Sequence, residues 1–227
     1  MAAAVAVRAV LLDLDGTLLD TVLDLHAAAN GMLRDLGRAE VAIEDIRAYV
    51  GRGIPNLVKR VLAGNLEAAD DPSPPPDAAL DSFRRHYGEC NGHCAKAFPG
   101  VMEGLAALRA LRLPLGVITN KAHAFTVPLL QRTGLAPFMD VVVSGDQLPR
   151  PKPDPMPVIW ACGRLGVSPA DTLLIGDSVH DFKAGRAAGC RVFLVPYGYN
   201  EGQDVRKLDA DAIVATVFDA VTLITPA

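Results

Sequence analysis

The sequence predicts an α/β fold, a parallel-sheet core with an all-helical insert, and three patterns predict it. Short, almost continuously apolar runs rich in Val, Ile and Leu recur along the chain, as strands covered on both faces of a parallel sheet do. Segments with helical spacing separate most of them, the alternation that βαβ units with right-handed crossovers produce. Only from about Leu18 to Lys96 does the alternation stop.

In chain order, Val5 to Asp13 reads as the first strand. The stretch Met1 to Leu14 lacks a basic leading region and runs straight into acidic residues, so it reads as strand and not as a secretory signal. Helical patterns then follow one another over Val22–Leu36, Ile43–Val50, Ile54–Leu62 and Ala78–Tyr87, with no convincing strand between them. The run from Asp70 to Asp77 holds four prolines; these remove backbone donors and fix φ, which predicts a loop between insert helices. Beyond the insert, strands are expected at Leu115–Thr119, Asp140–Val143, Thr172–Ile175 and Arg191–Val195, with a weaker one at Ala212–Ala215. Helices are expected at Val101–Leu111, Phe125–Thr133, Val158–Leu165 and Phe182–Ala188, with Gly100, Gly134, Gly166 and Gly189 at their edges. Trp160 reads as core. The division that follows is a core of residues 1–17 and 97–227 and a helical insert of residues 18–96.

Composition bounds the function. Of 227 residues 50% are hydrophobic and 21% charged, enough apolar material for a substantial core. A net charge of −4 argues against a nucleic-acid binder, which carries a basic face. No apolar run reaches the length of a membrane span. Four scattered cysteines are too few for a disulfide scaffold in a chain this long and read as reduced thiols, which places the protein in the cytoplasm. His86, Cys90, His93 and Cys94 follow no zinc-site spacing and read as packing near the exit of the insert.

Open α/β sheets bind ligands at the carboxyl ends of their strands, so the polar residues just beyond each strand belong together. After the first strand stands Asp13-Leu14-Asp15-Gly16-Thr17, and after the second Thr119-Asn120-Lys121. Lys152 follows the third, in Arg150-Pro151-Lys152-Pro153, and Gly176-Asp177-Ser178-Val179-His180-Asp181 follows the fourth. Taken singly each has an ordinary reading: Asp-Gly as a turn, Thr119-Asn120 as a helix N-cap, Lys152 as a loop lysine, Asp177 and Asp181 as acids at a helix N-terminus. Together they are the inventory of phosphoryl transfer. Converging carboxylates require a hard cation, and Mg²⁺ is the natural choice. A carboxylate nucleophile splits one displacement into two easier ones, while an ammonium and a hydroxyl stabilise the transferring oxygens.

In this order, the four motifs resemble those of the haloacid dehalogenase superfamily over nearly the whole chain. Leu12-Asp13-Leu14-Asp15-Gly16-Thr17-Leu18-Leu19-Asp20-Thr21, Val50-Gly51-Arg52-Gly53 and Ser144-Gly145-Asp146-Gln147-Leu148-Pro149 are similar to its phosphoglycolate phosphatases. The resemblance implies a Rossmann-like core with an inserted helical cap domain, and a Mg²⁺-dependent phosphatase acting through an aspartyl-phosphate. By position it implies Asp13 as nucleophile, Asp15 as general acid and base, and Thr119 and Asn120 as phosphate contacts. Lys152 would orient both Asp13 and the phosphoryl group. The implied metal shell is Asp13, Asp177, the backbone carbonyl of Asp15, and Asp181 directly or through water. Arg52 is the candidate grip on the non-phosphate end of the substrate. His180 is expected to play a solvated or supporting part. Proline before Lys152 departs from the pattern, and Arg150 receives no role.

The expected partner is a small phosphorylated metabolite, with 2-phosphoglycolate the best match. Sugar phosphates, nucleotides, pyrophosphate and phosphoglucomutase chemistry share the same core and stay open at this point, because the cap selects the leaving group. An acid at the second position of Asp-x-Asp favours phosphate esters over dehalogenation, which needs no proton donor there. A non-catalytic binding protein on this fold would tolerate loss of the nucleophile, the lysine or a metal acid, and none is missing.

Overall fold

The computed structural model describes residues 5–227; the reading of residues 1–4 as part of the first strand lies outside the described residues. A six-stranded parallel sheet forms the centre. Its strands are β2 (Ala9–Leu12), β5 (Leu115–Ile118), β6 (Val141–Val143), β7 (Thr172–Gly176), β8 (Arg191–Leu194) and β9 (Ala212–Ile213). Their order across the sheet is β6-β5-β2-β7-β8-β9. The chain order reverses at β2, which pairs Leu12 with Val117 of β5 on one side and with Ile175 of β7 on the other.

Alternation along β2 explains its unbroken apolar sequence. Val10 and Leu12 point into the larger core cluster, with Leu105 and Leu108 of α5 (Val101–Ala110) and Leu129 of α6 (His123–Arg132). Leu11 points the opposite way, against Val158 and Ala161 of α7 (Met156–Leu165) and Ala184 of α8 (Val179–Ala188). With helices on both faces, each fully buried leucine contributes about 1.5–3 kcal/mol, and no position of the strand is left for a polar residue.

The expected first strand is two. Arg8 is exposed and bends the chain between β1 (Val5–Val7) and β2. β1 then leaves the main sheet to pair in parallel with β10 (Ile224–Pro226) at the other end of the sequence. A short helix, α9 (Val217–Val221), also escaped the sequence reading.

Four helices fill the insert: α1 (Val22–Asp35), α2 (Ile43–Tyr49), α3 (Ile54–Ala63) and α4 (Asp77–Cys90). Their apolar faces form a separate cluster around Met32, Val58, Phe83 and Tyr87, which Tyr199 joins from the loop after β8. The segment is not free of strand. β3 (Leu19–Asp20) and β4 (Lys96–Ala97) pair antiparallel, so the chain enters and leaves the insert through adjacent strands. Two residues each are too short to give a period-two pattern. Within the expected proline loop, Asp70 closes a short 3₁₀ turn and Asp77 opens α4.

Trp160 is the other correction. It is 41% exposed and stacked under the Arg164 guanidinium, because the apolar face of α7 is supplied by Val158, Ala161 and Cys162 instead.

Candidate active site

Three of the four motifs stand where strands end. Asp13 continues β2, its amide donating to Ile175 O at 2.9 Å; Thr119 continues β5, its amide donating to Val143 O at 2.9 Å; Asp177 follows β7. Lys152 lies on the loop between β6 and α7, and its ammonium reaches back to Ile118 O at the carboxyl end of β5. Asp13, Asp15, Thr119, Asn120, Lys152 and Asp177 all line one cavity, and Asp181 stands behind Lys152. The cavity volume, counted as the space in which the centre of a water molecule can move, is about 50 Å³. That is room for a few waters or one small ligand.

Lys152 is the hub. Its ammonium, 5% exposed as a residue, donates to Asp13 Oδ1 at 2.6 Å, to Asp181 Oδ1 at 2.6 Å and to Ile118 O at 2.8 Å. A lysine has three donors, so all are committed. Burial would lower its pKa, but the charges of Asp13 and Asp181 outweigh that and push it up.

The acids divide into two kinds. Asp181 is saturated: Oδ2 accepts from Ser178 Oγ at 2.6 Å and Ser178 N at 3.1 Å, while Oδ1 faces Lys152. It is also the third residue of α8, in a reciprocal capping box with Ser178. Burial pushes its pKa up, yet Lys152 and Ser178 win and hold it below the usual range. Asp13 and Asp177 also accept hydrogen bonds, from Lys152 and from Thr17 and the Tyr199 amide, but in them burial and like charges win. Burial, reinforced by neighbouring carboxylates, pushes Asp13 up to about 7 against the pull of Lys152, and lifts Asp177 well above its ordinary value.

Carboxylate oxygens of Asp13, Asp177 and Asp181 lie within 4.8 Å of one another. With all three carboxylates ionised, the single ammonium of Lys152 balances one of them and two negative charges remain to be met, the same deficit that raises the pKa of Asp13 and Asp177. That deficit, on hard oxygen donors, fits a divalent cation such as Mg²⁺. Asp177 is aimed by Thr17 Oγ1 on Oδ1 at 2.7 Å and by the Tyr199 amide on Oδ2 at 2.5 Å. The backbone closes tightly on it: a Cβ at Gly16, whose φ is +94°, would lie 2.3 Å from Oδ2, and one at Gly198 would lie 2.2 Å from it. Only glycine fits at either place.

Asp15 forms a second, self-contained pair. Its Oδ1 accepts from Thr21 Oγ1 at 2.6 Å and from Lys121 Nζ at 2.9 Å. Neither Thr119 nor Asn120 caps a helix, since α6 begins at His123 after Ala122. Thr119 Oγ1 accepts from the Lys121 amide at 3.1 Å. Asn120 is a strut: its Nδ2 donates to Gly51 O and to Lys152 O, both at 3.0 Å, tying the insert and the lysine loop to the end of β5.

Arg52 is not brought to this cavity. Its guanidinium pairs with Asp70 at 2.7 Å and with Glu201 at 3.5 Å, and it borders a neighbouring groove with Asn56, Arg84 and Asp146. The preceding glycine, Gly51, lines the cavity in its stead, with Val50, Gly53 and Ile54. His180 is buried, not solvated; it lines the cavity while its Nε2 faces Glu201 at 3.4 Å. His86 and Cys90 do not converge on a common point, since His86 Nε2 meets Asp35 at 3.0 Å and the Cys90 thiol donates to Asp24 O at 3.3 Å.

Sequence reasoning missed three participants. Lys121 directly follows Thr119-Asn120 at a strand end, a signal that was present. Tyr199 and Glu201 sit on the loop after β8, far from any motif, and carried none.

The family of haloacid dehalogenase-like hydrolases matches residues 10–195, and the chain belongs to it. More particularly, it is 52% identical over 218 residues to the phosphoglycolate phosphatase of Nitrosospira multiformis, covering 96% of each chain. It is 49% identical over 221 residues to that of Thiobacillus denitrificans, covering 97% of each. The crystal structure of a predicted phosphoglycolate phosphatase from Haemophilus somnus superposes with a TM-score of 0.85 at 29% identity, covering 95% of this chain and 97% of that one.

Proposed function

We propose that the protein hydrolyses 2-phosphoglycolate to glycolate and phosphate, with Mg²⁺ bound among Asp13, Asp177 and the backbone carbonyl of Asp15. The observation that carries the chemistry is the buried group of three carboxylates around one lysine, at the carboxyl ends of parallel strands. The substrate rests on relatives about half identical over nearly their full length and on a cavity with room for little more than a small anion.

Asp13 is the nucleophile. Lys152 lowers the cost of its negative charge and aims Oδ1, so that the other oxygen attacks phosphorus in line with the ester bond. As the phosphorus–oxygen bond breaks, Asp15 gives a proton to the departing glycolate oxygen; its partners fall on Oδ1, leaving Oδ2 for the transfer. The product is an acyl phosphate, the mixed anhydride of the Asp13 carboxylate with phosphate. Water then gives a proton to Asp15 and displaces the carboxylate from phosphorus, which restores both acids. When bound, Mg²⁺ supplies charge neutralisation between the phosphate and the carboxylates. Thr119 contacts the phosphoryl oxygens. The Asn120 amide holds the lysine loop, a positioning task more than a direct contact. Asp181 holds Lys152 and acts on the metal shell from outside it. Residues 18–96 serve as the cap, excluding water from the first step.

Phosphate release from 2-phosphoglycolate, sugar phosphates, nucleotides and pyrophosphate tests the reading. Activity is expected to be highest with 2-phosphoglycolate, to vanish with chelator and to return with Mg²⁺. Asp13→Asn is expected to lower kcat at least about 1000-fold, the scale seen when a covalent nucleophile is removed. Comparable turnover by Asp13→Asn would sink the mechanism, and a clear preference for another ester would sink the substrate.

A further inference from the structure

We propose that Lys121 is the group that recognises the carboxylate of the substrate, an inference that rests on the phosphoglycolate reading above. Four observations lead to it. Lys121 is 5% exposed and yet lines the cavity. Its ammonium makes one hydrogen bond, to Asp15 Oδ1 at 2.9 Å, and rests 4.9 Å from the centre of the buried Tyr87 ring contributed by α4 of the insert. A lysine has three donors, so this ammonium has capacity that Lys152, bound to two carboxylates and a carbonyl, lacks. The other basic side chains near the cavity are engaged differently: the Arg52 guanidinium turns to Asp70 and Glu201, and His180 faces Glu201 through Nε2, its buried Nδ1 being without a partner.

Position makes the case specific. Asp15 is the group that meets the ester oxygen, and in phosphoglycolate a single methylene separates that oxygen from the carboxyl carbon. A cation within hydrogen-bond reach of Asp15 therefore stands where this carboxylate arrives. The other residues on the insert side are Leu25, Val50, Gly51, Gly53, Ile54 and Leu57; none carries a charged side chain, and the apolar ones lower the local dielectric. Tyr87 lends its ring face to the ammonium, so the insert helps hold the lysine in place. A substrate whose second charged group lies farther from the ester oxygen does not align with Lys121. The same residue that holds Asp15 before substrate binds thus reads the short anionic leaving group.

The test compares 2-phosphoglycolate with ethyl phosphate, in which a methyl group replaces the carboxylate, on the full chain with Mg²⁺. Loss of a buried charge partner predicts that Lys121→Met lowers kcat/KM at least about 100-fold for 2-phosphoglycolate, chiefly through KM, and at most about 10-fold for ethyl phosphate. Equal losses on both substrates overturn the proposal and leave Lys121 as a support for Asp15 alone. Lys121→Gln keeps a donor for Asp15 without the charge. It serves if the methionine variant melts far below wild type, and it must show the same selective loss. Wild-type enzyme that treats both esters alike also overturns it. Wild-type enzyme that releases phosphate from neither ester removes the phosphatase reading itself, a result distinct from failure of the Lys121 assignment.

Discussion

The carboxylate of Asp24 accepts a hydrogen bond from the backbone amide of Cys94 at 2.8 Å, joining the first turns of the insert to its exit. The same carboxylate also takes the amides of Gly92 at 2.9 Å and Ala95 at 3.2 Å, and it is 1% exposed. Beside the paired strands β3 and β4, this is what fixes the base of the helical insert over the sheet. Asp24→Ala orphans three backbone donors at once, and hydrogen bonds to a charged group are the strong kind. A loss of about 3 kcal/mol in urea unfolding is expected, with Asp24→Asn losing less because one oxygen remains. A change under about 1 kcal/mol for the alanine variant would show that the strand pair holds the base alone.

Glu201 ties the loop after β8 to the insert, meeting the fully buried Arg60 of α3 at 2.9 Å and His180 of α8 at 3.4 Å. Burial pushes the Glu201 pKa up, but His180 and Arg60 outweigh it and hold the group at about 2, against an ordinary 4.5. A depressed carboxylate contributes stability that is complete above its unfolded value and disappears as pH falls through the folded one. The stability difference between wild type and Glu201→Gln is therefore expected to be constant above about pH 5 and to shrink steadily toward pH 2. Chemical denaturation at stepped pH measures it. A difference that stays unchanged down to pH 2 would mean that the carboxylate is not held ionised by these partners.

Arg52 offers the sharpest contrast between pattern and structure. Its Asp70 partner is exposed and its own side chain is 32% exposed, so the pair contributes little to stability. Because the guanidinium borders the neighbouring groove and not the cavity, Arg52→Ala is expected to change kcat/KM for 2-phosphoglycolate by less than about fivefold. A selective loss of 2-phosphoglycolate over a neutral aryl phosphate would return Arg52 to the substrate.

Much of this protein was legible in residue order because strand ends and helix starts announce themselves locally. The apolar run ending at Asp13, the Thr-Asn after Ile118 and the Gly-Asp-Ser before α8 each mark the carboxyl end of a parallel strand. Sheets of that kind gather such ends at one rim whatever lies between them. What the chain could not announce were relations between distant segments. Arg52 and Lys121 are both basic residues beside a motif; only the packing of α3 and of the loop after β8 turned one toward Asp70 and Glu201 and left the other facing the cavity. Tyr199 and Glu201 acquire their contacts with Asp177 and Arg60 across separations that no periodicity spans. Residue order alone determined the core, its rim and the type of chemistry, since these follow from short-range patterns of burial and hydrogen bonding. Tertiary structure decided which of these two basic residues lines the cavity, because a long flexible side chain settles wherever a buried countercharge lies within reach.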